Sequence, residues 1–139
     1  MTRRGRSKKV DASEAIGRLS KAKSFHQRAR QIVDLTPEDS DASAACSLIA
    51  HAAIAYTDAL TIRYLGEKNQ DHGAMIKLLC EAVSVPAEQE RRLRRIIDKK
   101  DDAEYGSRSQ RRVEAEKLLA DLDKFARWAE ATMSHQPGG

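Results

Sequence analysis

Residues 44–65 read AACSLIAHAAIAYTDALTIRYL. Alanine recurs throughout, aliphatic residues fill most of the remaining positions, and neither Gly nor Pro interrupts. Drawn as a helix, the stretch is apolar nearly all round, which is the pattern of a helix enclosed by others. Alternation of apolar and polar residues, the mark of a half-buried strand, is missing along the chain. Val and Thr are scarce, while Ala, Leu, Glu, Lys and Arg are abundant. The fold class that follows is all-α: an up-and-down bundle of about five helices around this central one.

Pro and Gly then punctuate the rest. A first helix is expected from about Asp11 to Leu35, where Ala15, Ala22 and Ala29 recur every seven residues as a narrow seam. The central helix is expected to open at Thr36-Pro37-Glu38-Asp39, a cap, a proline suited to the first turn and two acids at the positive end of the dipole, and to run to about Gly66. A third begins near Asp71 and ends by Ser84, with Met75, Leu78, Leu79 and Val83 on its face. A fourth opens at Pro86 and ends before Gly106, burying Leu93, Ile96 and Ile97. A fifth starts at Ser107-Arg108-Ser109-Gln110, which has capping-box spacing, and carries Leu118, Leu122, Phe125, Ala129 and Met133. Residues 1–10 read as a basic flexible arm, 11–134 as the bundle, and 135–139 as a frayed tail.

The 139 residues fit one domain large enough to bury a core without disulfides or a structural metal. The net charge is +4, yet Arg3, Arg4, Arg6, Lys8 and Lys9 alone contribute +5, so residues 11–139 are −1. The pI of about 9.2 describes the arm and not the fold. Apolar runs are broken by polar residues before the ~20 needed to span a bilayer, and no apolar segment follows the basic start as in a secretory signal. Cys46 and Cys80 form no CxxC pair and read as core thiols of a reducing cytoplasm.

Several chemistries lack a sequence basis. No GxxxxGK[ST], GxGxxG or GxSxG occurs, and no Glu is followed by His three residues later as a carboxylate-bridged metal pair requires. No cofactor or metal site is expected. On the central helix Ser47, His51, Asp58 and Thr61 fall within about 80° of one another. They read as a polar pocket or, preferably, as satisfied core polar groups or the face nearest solvent, with His51 a hydrogen-bonded core imidazole.

Arg63 near the end of that helix and His72 at the start of the next flank a turn that folds the chain back. An arginine beside a histidine suits RNA cleavage, the guanidinium holding the phosphate and the imidazole moving a proton. The plainer reading pairs Arg63 with Glu67 one turn on and leaves His72 as a polar residue of the first turn. Arg91, Arg92, Arg95 and Lys99 share a face that suits phosphates, although Glu88 lies at ion-pair spacing from Arg92 and Asp98 from Arg94. Residues 3–9 form a cleaner nucleic-acid contact, salt-sensitive and non-specific because no aromatic accompanies them.

Two stretches together resemble the HEPN (higher eukaryotes and prokaryotes nucleotide-binding) domain. AHAAIAYTDALTIRYLGEKNQDHGAMIKLL, residues 50–79, is similar to the family's second and third helices, an Ala-rich helix with an internal Tyr, a turn, and a His opening the next helix. Within residues 99–133, Lys100-x-x-Ala103-Glu104-Tyr105 resembles the basic-x-x-Ala-acid-Tyr motif before the last helix, and Phe125 matches the late aromatic. The resemblance covers about residues 15–133. It implies a helical bundle, often a homodimer. Some members are toxin-like, metal-independent endoribonucleases using an Arg and a His, with the two sites meeting at the dimer interface. Others bind nucleotides, RNA or a nucleotidyltransferase partner. Arg63 and His72 match the motif's placement, but eight residues lie between them, more than the motif places there. Asp58, Lys100 and Tyr105 match positions read as structural.

The expectation that follows is a homodimeric HEPN-like binding module, non-catalytic or with a degenerate RNase motif, acting on nucleotide, RNA or a nucleotidyltransferase-type partner. The alternatives are an endoribonuclease using Arg63 and His72, and a structural helical adaptor without a nucleic-acid role.

Overall fold

The alanine-rich stretch forms the long central helix of the bundle. The computed structural model describes residues 7–106 and 109–135, with only the course of the backbone over 102–105. In chain order they form β1 (Lys8–Lys9), a 3-10 turn (Ala12–Glu14), α1 (Ala15–Leu35), α2 (Ser43–Leu65), β2 (Glu67–Lys68), α3 (His72–Ala82), α4 (Ala87–Tyr105) and α5 (Arg112–Ser134). The all-α bundle of five helices is as expected.

Every other helix packs on α2. From Ile49 to Ile62 all its residues are buried except His51 and Ile54. Before Arg63 the open strip is Ala44, Ser47, Leu48, His51 and Ile54, which recur at helical spacing. By length and hydropathy α2 resembles a membrane span, but 78% of that window lies inside the bundle. Its alanines leave room for close approach, and the Ala15, Ala22 and Ala29 seam of α1 is buried along with Val33. Cys46 is in the core, where burial pushes its thiol up to about 11. Cys80 is exposed, contrary to expectation. The buried side of α3 is Met75, Ile76, Leu78 and Leu79, and Cys80 follows on the outer side.

Two helix starts differ from the sequence reading. Thr36 does not open α2. Its N–H donates to the Val33 carbonyl at 3.2 Å and its hydroxyl to the Ile32 carbonyl at 2.6 Å, so it closes α1. Asp41 then accepts from the Ser43 hydroxyl and from the Gln110 N–H, both at 2.8 Å, and the Ala42 N–H donates to the Gln110 carbonyl at 2.7 Å. Gln110 is therefore a buried tie between two loops and not a helix cap. α5 begins instead at Arg112, with the Glu114 carboxylate accepting from the Arg111 N–H at 2.9 Å. The Thr36 pattern thus closes the preceding helix, while Ser107 and Arg108 of the second pattern lie outside the described residues and α5 opens on the local Arg111–Glu114 pair.

The start of the described chain is fastened too. β1 pairs antiparallel with β2, with Lys8 opposite Lys68 and Lys9 opposite Glu67. The Val10 N–H donates to the Gly66 carbonyl at 2.7 Å, and the buried Asn69 amide donates to the Ser7 hydroxyl at 2.9 Å. Residues 7–10 of the expected flexible arm are thus a ribbon. Arg3, Arg4 and Arg6 lie outside the described residues. At the other end, the His135 carbonyl accepts from Arg63 and Tyr64, so the expected tail is fastened at its first residue.

Gly66 sits at φ 66°, the left-handed position that ends α2, and its N–H donates to the Ile62 carbonyl at 2.8 Å. A Cβ there is strained and meets the Val10 carbonyl oxygen at 3.4 Å. Gly17 lies in α1 with nothing within 4 Å of an added Cβ. Gly66→Ala is expected to cost about 1–2 kcal/mol in urea unfolding, whereas Gly17→Ala stabilises by about 0.5–1 kcal/mol. Equal effects of the two substitutions would contradict this geometry.

Candidate functional site

Arg63 is half-buried near the end of α2, and its guanidinium is turned to the end of α5. Nη2 donates to the His135 carbonyl at 3.1 Å, and the group lies 5.3 Å from the Tyr64 ring centre. The Tyr64 hydroxyl bonds the Thr132 carbonyl at 2.7 Å alongside it. Arg63 is therefore a tie between helix ends and not the expected partner of Glu67. His72 is the first residue of α3. Among the described residues no hydrogen bond or ring contact joins Arg63 to His72. An apolar hollow of about 440 Å³ adjoins this end, lined by Tyr64, Val83 and Ala131 among others.

The polar stripe of α2 divides. His51 is exposed on the open strip, with its ring centre 6.1 Å from that of Phe25, so it is not a core imidazole. Ser47 is half-buried with its contacts made, and Thr61 donates to the Asp58 carbonyl of its own helix. Asp58 is buried and pairs with Arg18 of α1 at 3.1 Å. Burial raises its carboxyl above the usual value, against the opposing pull of Arg18 and Lys68.

The cationic face of α4 is largely neutralised. Arg92 meets Glu88 at 3.8 Å, Arg95 makes two bonds to Asp121 at 3.1 and 3.0 Å, and Lys99 meets Glu114 at 3.0 Å. Arg94 turns to Glu90, not Asp98, in keeping with the better Glu-before-Arg order on a helix. Arg91 is exposed and Lys100 is half-buried with its contacts made. The side chain of Tyr105 lies outside the described residues.

The most developed polar cluster is one that sequence reading missed. His26 of α1 stands between Tyr56 of α2 and Asp123 of α5, with Nδ1 3.0 Å from the Tyr56 hydroxyl and Nε2 2.7 Å from Asp123 Oδ1. Arg30 donates to the same carboxylate oxygen. One turn away Lys23 meets Glu130 at 3.4 Å. Burial raises the Asp123 carboxyl, but the hydrogen bonds and charges of Arg30 and His26 outweigh it and hold it below the usual carboxylate value. An ionised carboxylate only accepts, so we assign the Nε2 proton to the bond with Asp123. Tyr56 keeps its proton, because burial first and the charges of Glu130 and Asp123 second raise it.

The signal in the sequence was a matched spacing. Lys23 and Arg30 are seven apart on α1, Asp123 and Glu130 are seven apart on α5, and antiparallel packing joins them as two rungs. Around the rungs lies a groove of about 390 Å³ lined by His26, Arg30, Asp123, Ala126, Arg127 and Glu130. An adjoining hollow of about 330 Å³ adds Lys23, Gln27 and Tyr56. Both imidazole nitrogens are engaged, one on the Asp123 carboxylate and one on the Tyr56 hydroxyl, so the ring ties α1 to both α2 and α5.

No protein-family model matches the chain. No curated protein matches it either.

Asp123 has its folded pKa below its unfolded value, so its contribution to stability is complete above about pH 4 and is lost as pH falls through the lower folded value. Asp123→Asn is expected to lower unfolding free energy at pH 7, with the gap to the parent narrowing below pH 4. A gap that persists undiminished at pH 2 would contradict the assigned pairing.

Proposed function

We propose that the chain is a non-catalytic, HEPN-like helical binding module that takes a phosphate-bearing ligand, a nucleotide or RNA, in the groove between α1 and α5. The observation that carries the reading is the groove itself, where Lys23, Arg30 and Arg127 outnumber the carboxylates of Asp123 and Glu130 around an imidazole whose two nitrogens are already held. The side chains of Lys23 and Arg30 are 53% and 51% exposed. Ion pairs as open as these contribute only about 0–1 kcal/mol, so a phosphate replaces a carboxylate partner at small cost. Arg30 uses one nitrogen on Asp123 and keeps further donors for a second acceptor. Shape supports the reading as well: an all-helical chain with an alanine-rich second helix accords with the resemblance at residues 50–79.

The absence of a contact between Arg63 and His72 among the described residues favours binding over cleavage. The test is fluorescence anisotropy with a labelled nucleoside triphosphate and an RNA oligomer, beside incubation with total RNA in EDTA. Binding without cleavage is expected, and Arg30→Ala should weaken nucleotide binding about tenfold, the usual worth of a charged hydrogen bond. Cleavage that vanishes in both Arg63→Ala and His72→Ala would overturn the reading in favour of an endoribonuclease. An absence of any salt-dependent binding would overturn it in favour of a structural adaptor.

A further inference from the structure

α5 carries five acids, and each is engaged. Glu114 meets Lys99, Asp121 meets Arg95, Asp123 meets His26 and Arg30, Glu130 meets Lys23, and Glu116 meets Arg112 of its own first turn. Four of the five therefore reach sideways to α1 or α4. The cations divide differently. Arg112 is held by Glu116 and by the Thr36 carbonyl at 3.0 Å. Lys117, Lys124 and Arg127 are exposed and, among the described residues, have no ion pair or hydrogen bond.

Helical spacing puts these three on one side. At roughly 100° per residue they fall within about 80° of one another and span about 15 Å along the axis. Between and beyond them on that outward side are Ala120 and Ala131, both exposed. Four of the acids are thus drawn into clasps with neighbouring helices and Glu116 is paired with Arg112, which leaves Lys117, Lys124 and Arg127 as the unpaired charges of the outer side among the described residues. The −1 of residues 11–139 conceals this division.

We propose that this ridge docks the sugar-phosphate backbone of a single nucleic-acid strand, leading it past Arg127 into the α1–α5 groove. The proposal rests on the groove reading above and narrows its ligand from a free nucleotide to a strand. Charge complementarity selects the occupant. A helix lying on a membrane buries Trp, Phe or Leu between its cations, whereas Ala120 stands between these, with Val113 exposed before them and Trp128 beside Arg127. Trp128 is half-buried, with its ring centre 5.6 Å from that of Phe125. A peptide partner needs a cluster of aromatic or aliphatic anchors, and the ridge presents Val113 alone as a well-exposed aliphatic. A strand carries a phosphate at every nucleotide, one per about 3.4 Å of axis when stacked, so a 15 Å line of cations meets several. With no aromatic between them the contacts are to phosphate only, hence independent of sequence and steep in salt.

The test compares the parent chain, Lys117→Glu/Lys124→Glu and Arg30→Ala, each checked for native helicity. Glu is about as good a helix former as Lys, so the exposed double reversal keeps α5. Binding is measured to a labelled oligouridylate of about ten nucleotides, to a nucleoside triphosphate, and to phosphatidylserine vesicles. Three phosphate contacts predict a log–log salt slope of about −2 for the parent and the single strand. The double reversal is expected to lose at least about tenfold in oligomer affinity, with triphosphate binding retained. Oligomer binding unchanged by the double reversal would overturn the ridge, whatever the triphosphate does. Failure of triphosphate binding together with oligomer binding that the reversal abolishes would leave the ridge standing and sink the groove. Vesicle binding without oligomer binding would overturn the ridge in favour of a lipid surface.

Discussion

The enclosure of α2 is the constraint on which the other contacts depend. A helix buried on nearly every side needs close neighbours, and its alanines let them approach. Small side chains supply little apolar area each, so the seam of α1 is also alanine and valine. What secures the packing is then a set of polar contacts at its margins. Arg18 reaches Asp58, His26 reaches Tyr56, and Arg63 and Tyr64 reach the end of α5. Each links α2, directly or through a buried residue, to a helix that covers it.

The same constraint explains the distribution of charge. α4 and α5 each bring one apolar stripe to α2, which leaves their flanks to face one another or α1. Those flanks carry complementary pairs, Arg95 with Asp121 and Lys99 with Glu114 on one side, Arg30 with Asp123 and Lys23 with Glu130 on the other. Such pairs add modest stability but set which residues meet. The side of α5 farthest from α2 retains the cations that these clasps do not use.

Much of the fold was legible because it is written in local patterns. The all-round apolar stretch of α2, the Asp71 cap of α3 and the seven-residue alanine seam of α1 all appear as read. The start of α2 was misplaced because Thr36 looked like a local cap, while the tie of Asp41 and Ala42 to Gln110 depends on tertiary proximity; α5 likewise opens later than read, at Arg112. The two-residue ribbon of β1 and β2 is too short to leave a periodic trace. The polar site was less legible. His51 was singled out by its place in an apolar helix and proves exposed, whereas His26, in an ordinary amphipathic helix, meets partners 30 and 97 residues away in sequence. Only the matched seven-residue spacing on α1 and α5 pointed to it, and that signal needs the two helices to be known as antiparallel neighbours.

Native-state amide hydrogen exchange tests the central role of α2 most directly. A helix enclosed by all the others opens only when the bundle does, so the amides from Ile49 to Ile62 should exchange with an opening free energy equal to that of global unfolding measured in denaturant. Amides at the ends of α1 and in the loop of residues 36–42 should exchange faster. Opening of α2 at a free energy well below the global value, with the other helices still protected, would contradict the account.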